Sequence, residues 1–108
     1  MKGLSCNSGL LNMFSVEQAI NVLAELGYQA IDISLEVAPP FLPVPPPHMR
    51  PQADAETRRR IRRCAEQAGV AIAALNAHTN LIHAVPEIRQ ANLQFVKEAL
   101  ELASDLGA

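Results

Sequence analysis

The spacing of apolar and polar residues changes several times along this 108-residue chain, and the changes mark its elements. The cleanest pattern is residues 30–36. Ile31, Ile33 and Leu35 alternate with Asp32, Ser34 and Glu36, the period of two that belongs to a strand with one aliphatic and one polar face. Upstream, Val16, Ala19, Ile20, Leu23 and Leu26 recur at helical spacing behind Ser15. Gln18 lies three residues after that serine, as a capping box requires. Gly27 suits a left-handed cap, with Tyr28 just beyond. Residues 2–8 alternate loosely and predict a short first strand. Asp54 opens a second helix with Ile61, Cys64, Ala65 and Ala68 as its apolar stripe and Gly69 as its cap. Residues 70–77 are almost wholly small and apolar, the composition of a strand buried on both faces. Residues 86–106 form the longest helix, with Pro86 suited to its first turn and Ile88, Phe95, Val96, Ala99, Leu102, Ala103 and Leu106 as its stripe.

These elements repeat. Leu26-Gly27-Tyr28, Ala68-Gly69-Val70 and Leu106-Gly107-Ala108 end the three helices alike, and after the first two a strand begins within about three residues. Strand, helix and glycine in threefold succession is the rhythm of parallel βα units. Crossover connections would then put all strand C-termini on one edge of the sheet, where α/β proteins build their sites. Cys6, Asn7 and Ser8 end the first strand, Glu36 the second, and Asn76 and His78 the third. A strand with a polar face inside an α/β protein points to a barrel lumen. A flat doubly wound sheet would carry aliphatic residues on both faces. The dinucleotide fingerprint G-x-G-x-x-G does not follow the first strand, and the phosphate-binding G-x-x-x-x-G-K-[ST] does not occur.

Seven of the eight prolines lie in residues 37–52. Proline fixes φ and lacks a donor, so this stretch can be neither helix nor central strand. Pro43 and Pro46 have the P-x-x-P spacing of a docking ligand. Phe41, Leu42 and Met49 are apolar enough to pack down, which favours a stiff loop crossing a site. Five of the nine basic residues cluster as Arg58, Arg59, Arg60, Arg62 and Arg63. Consecutive helical positions diverge, so the run reads as a solvated face and not as one grip on phosphate.

Composition narrows the function classes. With 49% hydrophobic and 19% charged residues the chain is an ordinary globular one, and a formal charge of −2 provides no field to recruit nucleic acid or an anionic membrane. One Tyr, three Phe and no Trp leave little surface for stacking bases. No apolar run reaches the ~18–20 residues of a membrane span, and polar residues interrupt any signal-peptide core near the start. Two cysteines make no disulfide framework. The expectation is a cytoplasmic protein with reduced thiols.

The chain resembles the N-terminal part of the xylose isomerase-like TIM-barrel superfamily, the sugar-phosphate isomerases and epimerases related to abasic-site endonucleases. Three passages carry the resemblance: residues 23–33, similar to L-G-[YF]-x-x-[IV]-E-[IL]; Ala68-Gly69-Val70 running through to Leu75-Asn76-Ala77-His78; and residues 89–108, similar to a helix ending A-x-x-L-G-A. The resemblance implies three consecutive βα units of a (β/α)8 barrel spanning residues 1–108, with the proline-rich loop after the second strand. Such a barrel typically has ~250 residues, so the expectation is an N-terminal fragment of a longer enzyme, inactive alone.

The activity implied is isomerisation or epimerisation of a small sugar or sugar phosphate, through metal-assisted proton transfer next to a carbonyl. A divalent metal (Mn, Mg, Co or Zn) is implied for the full-length family, with most of its ligands outside this chain. No catalytic or metal residue is therefore assigned. His78, Glu36, Asn7 and Asn76 are the substrate-binding candidates; in the nuclease branch a histidine at the place of His78 contacts metal. Asp32, where the family has Glu, is expected to hydrogen-bond structurally, and Cys6 is a further candidate to line the site. His83 is read as a loop residue and His48 as an exposed one. Alternatives are an abasic-site endonuclease-like barrel and a non-catalytic fragment completed by a partner. Association through an open sheet edge, or as a homo-oligomer, goes with the latter. Neither nucleic acid nor membrane is expected as a partner.

Overall fold

A computed structural model of the chain describes residues 3–35 and 47–108. The elements run β1 (Ser5–Asn7), a 3-10 turn (Ser8–Leu11), α1 (Val16–Glu25), β2 (Ala30–Ser34), α2 (Ala55–Ala68), β3 (Ala71–Asn76) and α3 (Pro86–Leu106). The strands form one parallel sheet in the order β1-β2-β3. These are three successive βα units, and the sheet they form is open.

Local chemistry accounts for the boundaries. The Ser15 hydroxyl accepts the Gln18 N–H while the Gln18 side chain accepts the Ser15 N–H, a closed capping box ahead of α1. Asp54 accepts the Thr57 N–H ahead of α2, and Pro86 opens α3. Gly69 ends α2 at φ 70°, a left-handed conformation in which a β-carbon would be strained; Gly27 and Gly107 also have positive φ.

The core lies between the sheet and its helices. Ile31, Ile33 and Leu35 are fully buried there with Ile20, Leu23, Ile61 and Leu102. The opposite face of β2 carries Asp32 and Ser34, both half-buried. Ser5 Oγ donates to Asp32 Oδ1 at 2.6 Å across that polar face.

The pairing of β2 with β3 contains a bulge. Ile31 pairs with Ile72 but Asp32 pairs with Ala74, which leaves Ala73 as an extra residue. Beyond it, Leu75 stands beside Ile33 and Asn76 beside Ser34. Strict alternation from Ile72 would have put Asn76 on the aliphatic face. The extra residue brings it to the polar one.

Several expectations need correction. The first strand covers Ser5–Asn7 only: Gly3 takes a left-handed turn, and Ser8 already starts the 3-10 turn. β3 is not buried on both faces. Ala71 and Ala73 are exposed: Ala71 lies on the sheet face opposite the buried Ile72, and Ala73 is the residue that the bulge leaves outside the ladder. Leu26 and Ile88 fall outside the apolar stripes, at 61% and 44% exposure, since each lies at a helix end beyond the packed turns. Of the proline-rich loop, residues 36–46, including Phe41 and Leu42, lie outside the described residues, and Met49 is buried as expected.

The arginine run forms a charged helix surface laced with ion pairs, Arg60 to Glu17 at 2.7 Å and Arg62 to Glu66 at 3.1 Å. Arg58 does more. It reaches Asp105 on α3 at 2.7 Å and donates to the carbonyls of Ala53 and Pro51 at 2.7 and 2.8 Å, so one half-buried guanidinium ties the entry of α2 to α3. Among the described residues, no helix is long and apolar enough to cross a membrane.

Candidate functional site

The parallel strands bring Asn7, Asp32, Ser34 and Asn76 to the C-terminal edge of one sheet face, through the pairs Asn7–Asp32 and Ser34–Asn76. Asn7 is half-buried, and its Oδ1 accepts the Gly9 N–H at 2.8 Å, capping the 3-10 turn. The Asn76 carbonyl accepts the Leu35 N–H at 2.9 Å, which fixes the end of β3 against the chain leaving β2. His78 stands two residues past β3 on the exposed side of the edge. Glu36, the fourth candidate, lies outside the described residues.

Two residues at this edge carry more of the structure than their sequence surroundings suggest. Ser8 is completely buried, and its Oγ accepts the Ser34 N–H at 2.9 Å, in the place where β1 would have continued the ladder. His48 was expected to be exposed. It is half-buried instead, because the chain returning to α2 passes directly over the end of β2. Its backbone N–H donates to the Ser34 carbonyl at 3.1 Å, and its Nε2 faces the carbonyls of Leu11 and Phe14 at 3.1 and 2.9 Å. Two carbonyl neighbours require Nε2 to carry the proton. Its Nδ1 is buried and has no hydrogen-bond partner among the described residues. The serine gave no periodic signal. The histidine lay inside a proline stretch whose path only the packing fixes.

A concavity of about 370 Å³ opens beside the end of β3, lined by His78, Thr79, Asn80, Asn92 and Phe95. Asn92 Nδ2 donates to the Asn80 carbonyl at 2.7 Å, joining α3 to the loop after β3, and Asn80 Oδ1 accepts the Ile82 N–H at 3.0 Å. His83 is held locally, its Nδ1 accepting the Val85 N–H at 3.0 Å just before α3. This supports its reading as a loop residue. Cys6 does not line the edge. It pairs with Ile31 and packs on the aliphatic core, because successive strand residues face opposite ways. Cys64 is also half-buried against the core, and burial, reinforced by the Glu17 carboxylate, pushes its thiol pKa up and keeps it protonated.

The described edge does not fit a divalent cation site. Among the described residues no group of three or more His, Cys, Asp or Glu side chains comes together. Asp32, the carboxylate of the described strands, is engaged by Ser5. Hard cations take six or more oxygen ligands, carboxylates foremost among them. What the edge offers is amides, hydroxyls, an imidazole and the Asp32 carboxylate held by Ser5.

Consecutive parallel βα units, with helices on the aliphatic face and polar groups on the other, define a segment of a β/α barrel. The chain belongs to the xylose isomerase-like TIM barrel family, which its residues 17–108 match. No curated protein matches the chain.

Proposed function

We propose that this chain forms part of the substrate-binding edge of an isomerase or epimerase acting on a small sugar. The observation that supports the reading is the placing of Asn7 and Asn76 on one strand-end edge, with His78 two residues beyond β3, in a member of this family. Amide, hydroxyl and imidazole groups both donate and accept, which is the chemistry needed to hold the hydroxyls of a sugar in register. The reaction class is proton transfer at the carbon next to a carbonyl. The described residues supply recognition and orientation, and no proton-transfer step is assigned to them.

The test is solvent exchange. The protein is incubated in D2O with a panel of aldoses and ketoses and Mn2+, Mg2+ or Co2+, and deuterium at the carbon next to the carbonyl is followed by NMR. Incorporation together with formation of the isomer or epimer is expected once the chain is joined to strands that complete the barrel, and not from the chain alone. Cleavage of an abasic-site duplex with no exchange into any sugar would overturn the reading in favour of the nuclease branch.

A further inference from the structure

We infer that two copies of this chain close on each other head to tail, each seating its β1 edge and one flank of its α1 in the apolar groove between β3 and α3 of the other. The inference concerns assembly and stands apart from the reaction proposed above.

The groove lies where the described packing ends. β3 is paired with β2 on one side, and its other edge carries unpaired N–H and C=O groups among the described residues. Between that edge and α3 lies a concavity of about 240 Å³ lined by Leu75, Val96, Leu100 and alanines, with no polar side chain. α3 brings a second apolar stripe to it. Leu93, Val96, Leu100 and Ala103 follow one another at spacings of three and four residues. This stripe is on the flank away from Glu98 and Asp105, which bond Gln52 and Arg58 on the α2 side. Leu100 is 66% exposed.

The other end of the chain presents a matching surface. β1 is paired with β2 alone, so its outer edge is also free among the described residues. Glu17 of α1 meets Arg60 of α2, while Val22 and Leu26 lie four residues apart on the opposite flank. Leu26 is 61% exposed. α1 packs beside α2 and α2 beside α3, so α1 of a second copy beside α3 continues the same row. A parallel β1 beside β3 also keeps the faces in agreement. Cys6 packs on the aliphatic side and falls beside Leu75, and Asn7 of the second copy falls beside Asn76 on the polar side. Each copy thereby extends the polar edge of the other.

Charge and area favour the same occupant. Lys97, a helical neighbour of Leu93 and Leu100, and Glu25, a neighbour of Val22, are exposed and make no ion pair among the described residues. Seating α1 on α3 brings these opposite charges to the rim of one junction. α3 is about 31 Å long, and a strip about 10 Å wide along it, with the β3 edge, covers roughly 500 Å². A closed pair has two such junctions, about 1,000 Å² per copy against the ~800 Å² per partner of a stable interface. A contact between unlike surfaces either closes into a ring or grows without end, and closure of two copies satisfies both free edges of each.

The experiment is analytical ultracentrifugation of the full chain from micromolar to millimolar concentration. A transition from 11.7 kDa to twice that mass is expected. The β3 amides at the open edge, weakly protected in the monomer, should gain hydrogen-exchange protection along with it. Leu26→Glu and Leu100→Glu change exposed positions and should each weaken the pair at least tenfold with unchanged circular dichroism. Mixing the two variants leaves one junction intact, so a mixed pair should form where neither variant pairs alone. Glu25→Lys and Lys97→Glu should each weaken the pair, and the double variant should recover it.

Parent-like pairing of Leu26→Glu would overturn the inference, because α3 would then meet α3 in a two-fold contact. A mass that grows past two copies would overturn it too. So would a chain that stays monomeric at millimolar concentration. Uniform protection of β3 in that monomer would give the groove to another segment of the same chain, and an unprotected β3 would give it to a different protein.

Discussion

At the scale of single residues, a few hydrogen bonds decide whether the strand ends hold their shape. Ser8 satisfies the Ser34 N–H from a fully buried position. Ser8→Ala removes the acceptor and leaves a donor unpaired, and it should cost about 1–3 kcal/mol in urea unfolding. A loss under ~0.3 kcal/mol would mean that water replaces the hydroxyl. Cys64 gives a chemical readout of packing. Its thiol pKa is raised by burial and then by Glu17, so it should alkylate with iodoacetamide near pH 8 more slowly in the folded chain than in urea. Equal rates would show that α2 does not pack as described. His48 shows why composition alone misplaces a side chain. Nothing in a proline-rich stretch reveals that its imidazole will meet the carbonyls of Leu11 and Phe14.

At the scale of elements, the helices are specified by their ends and the strands by their partners. Ser15→Ala breaks the capping box of α1 and should lower stability by about 0.5–2 kcal/mol in thermal or urea melts. Asp54 caps α2, and the Thr57 backbone N–H, then its side chain, then Arg60 and Arg59, hold its pKa below the ordinary carboxylate range. A depressed folded pKa means that its contribution is present above the unfolded carboxylate pKa and is lost as pH falls through the folded one. The chain should therefore lose stability below about pH 4, and Asp54→Asn should flatten that limb of the pH–stability curve. A curve of unchanged slope would assign the acid sensitivity elsewhere.

The bulge in β3 belongs to the same scale. Inserting one alanine after Ala73, with the bulge kept at one residue, would shift every later position by one, turning Leu75 off the core and Asn76 off the polar face. Losing the burial of one leucine is worth ~1.5–3 kcal/mol when complete. A drop of at least ~1 kcal/mol is expected for half-buried Leu75. An unchanged melting temperature would show that the register adapts elsewhere.

At the scale of the whole molecule, the sheet is asymmetric. β2 is paired on both sides and roofed by fully buried aliphatic side chains, whereas β3 is paired on one side only among the described residues. Amides of β2 should exchange slowest in hydrogen-exchange NMR, and the alternate amides of β3 that face the open edge should exchange with far less protection. Uniform protection across β3 would indicate that another strand covers that edge.

Most of the architecture is legible along the chain, because it depends on interactions between near neighbours. Ser15 with Gln18, Asp54 with Thr57, Pro86 and the helix-ending glycines mark all three helices, and the alternation from Ile31 to Leu35 marks β2 and its buried face. Three such units in order imply parallel strands and a common C-terminal edge, and that is how Asn7, Asn76 and His78 could be singled out. The rest depends on contacts between residues distant in sequence. A one-residue bulge at Ala73 turned Asn76 to the polar face; the chain's path over β2 buried His48; and α3 lying beside the loop after β3 brought Asn92 and Phe95 to His78. Periodicity records which way a side chain faces within its own element. Which side chains meet across elements is set by packing.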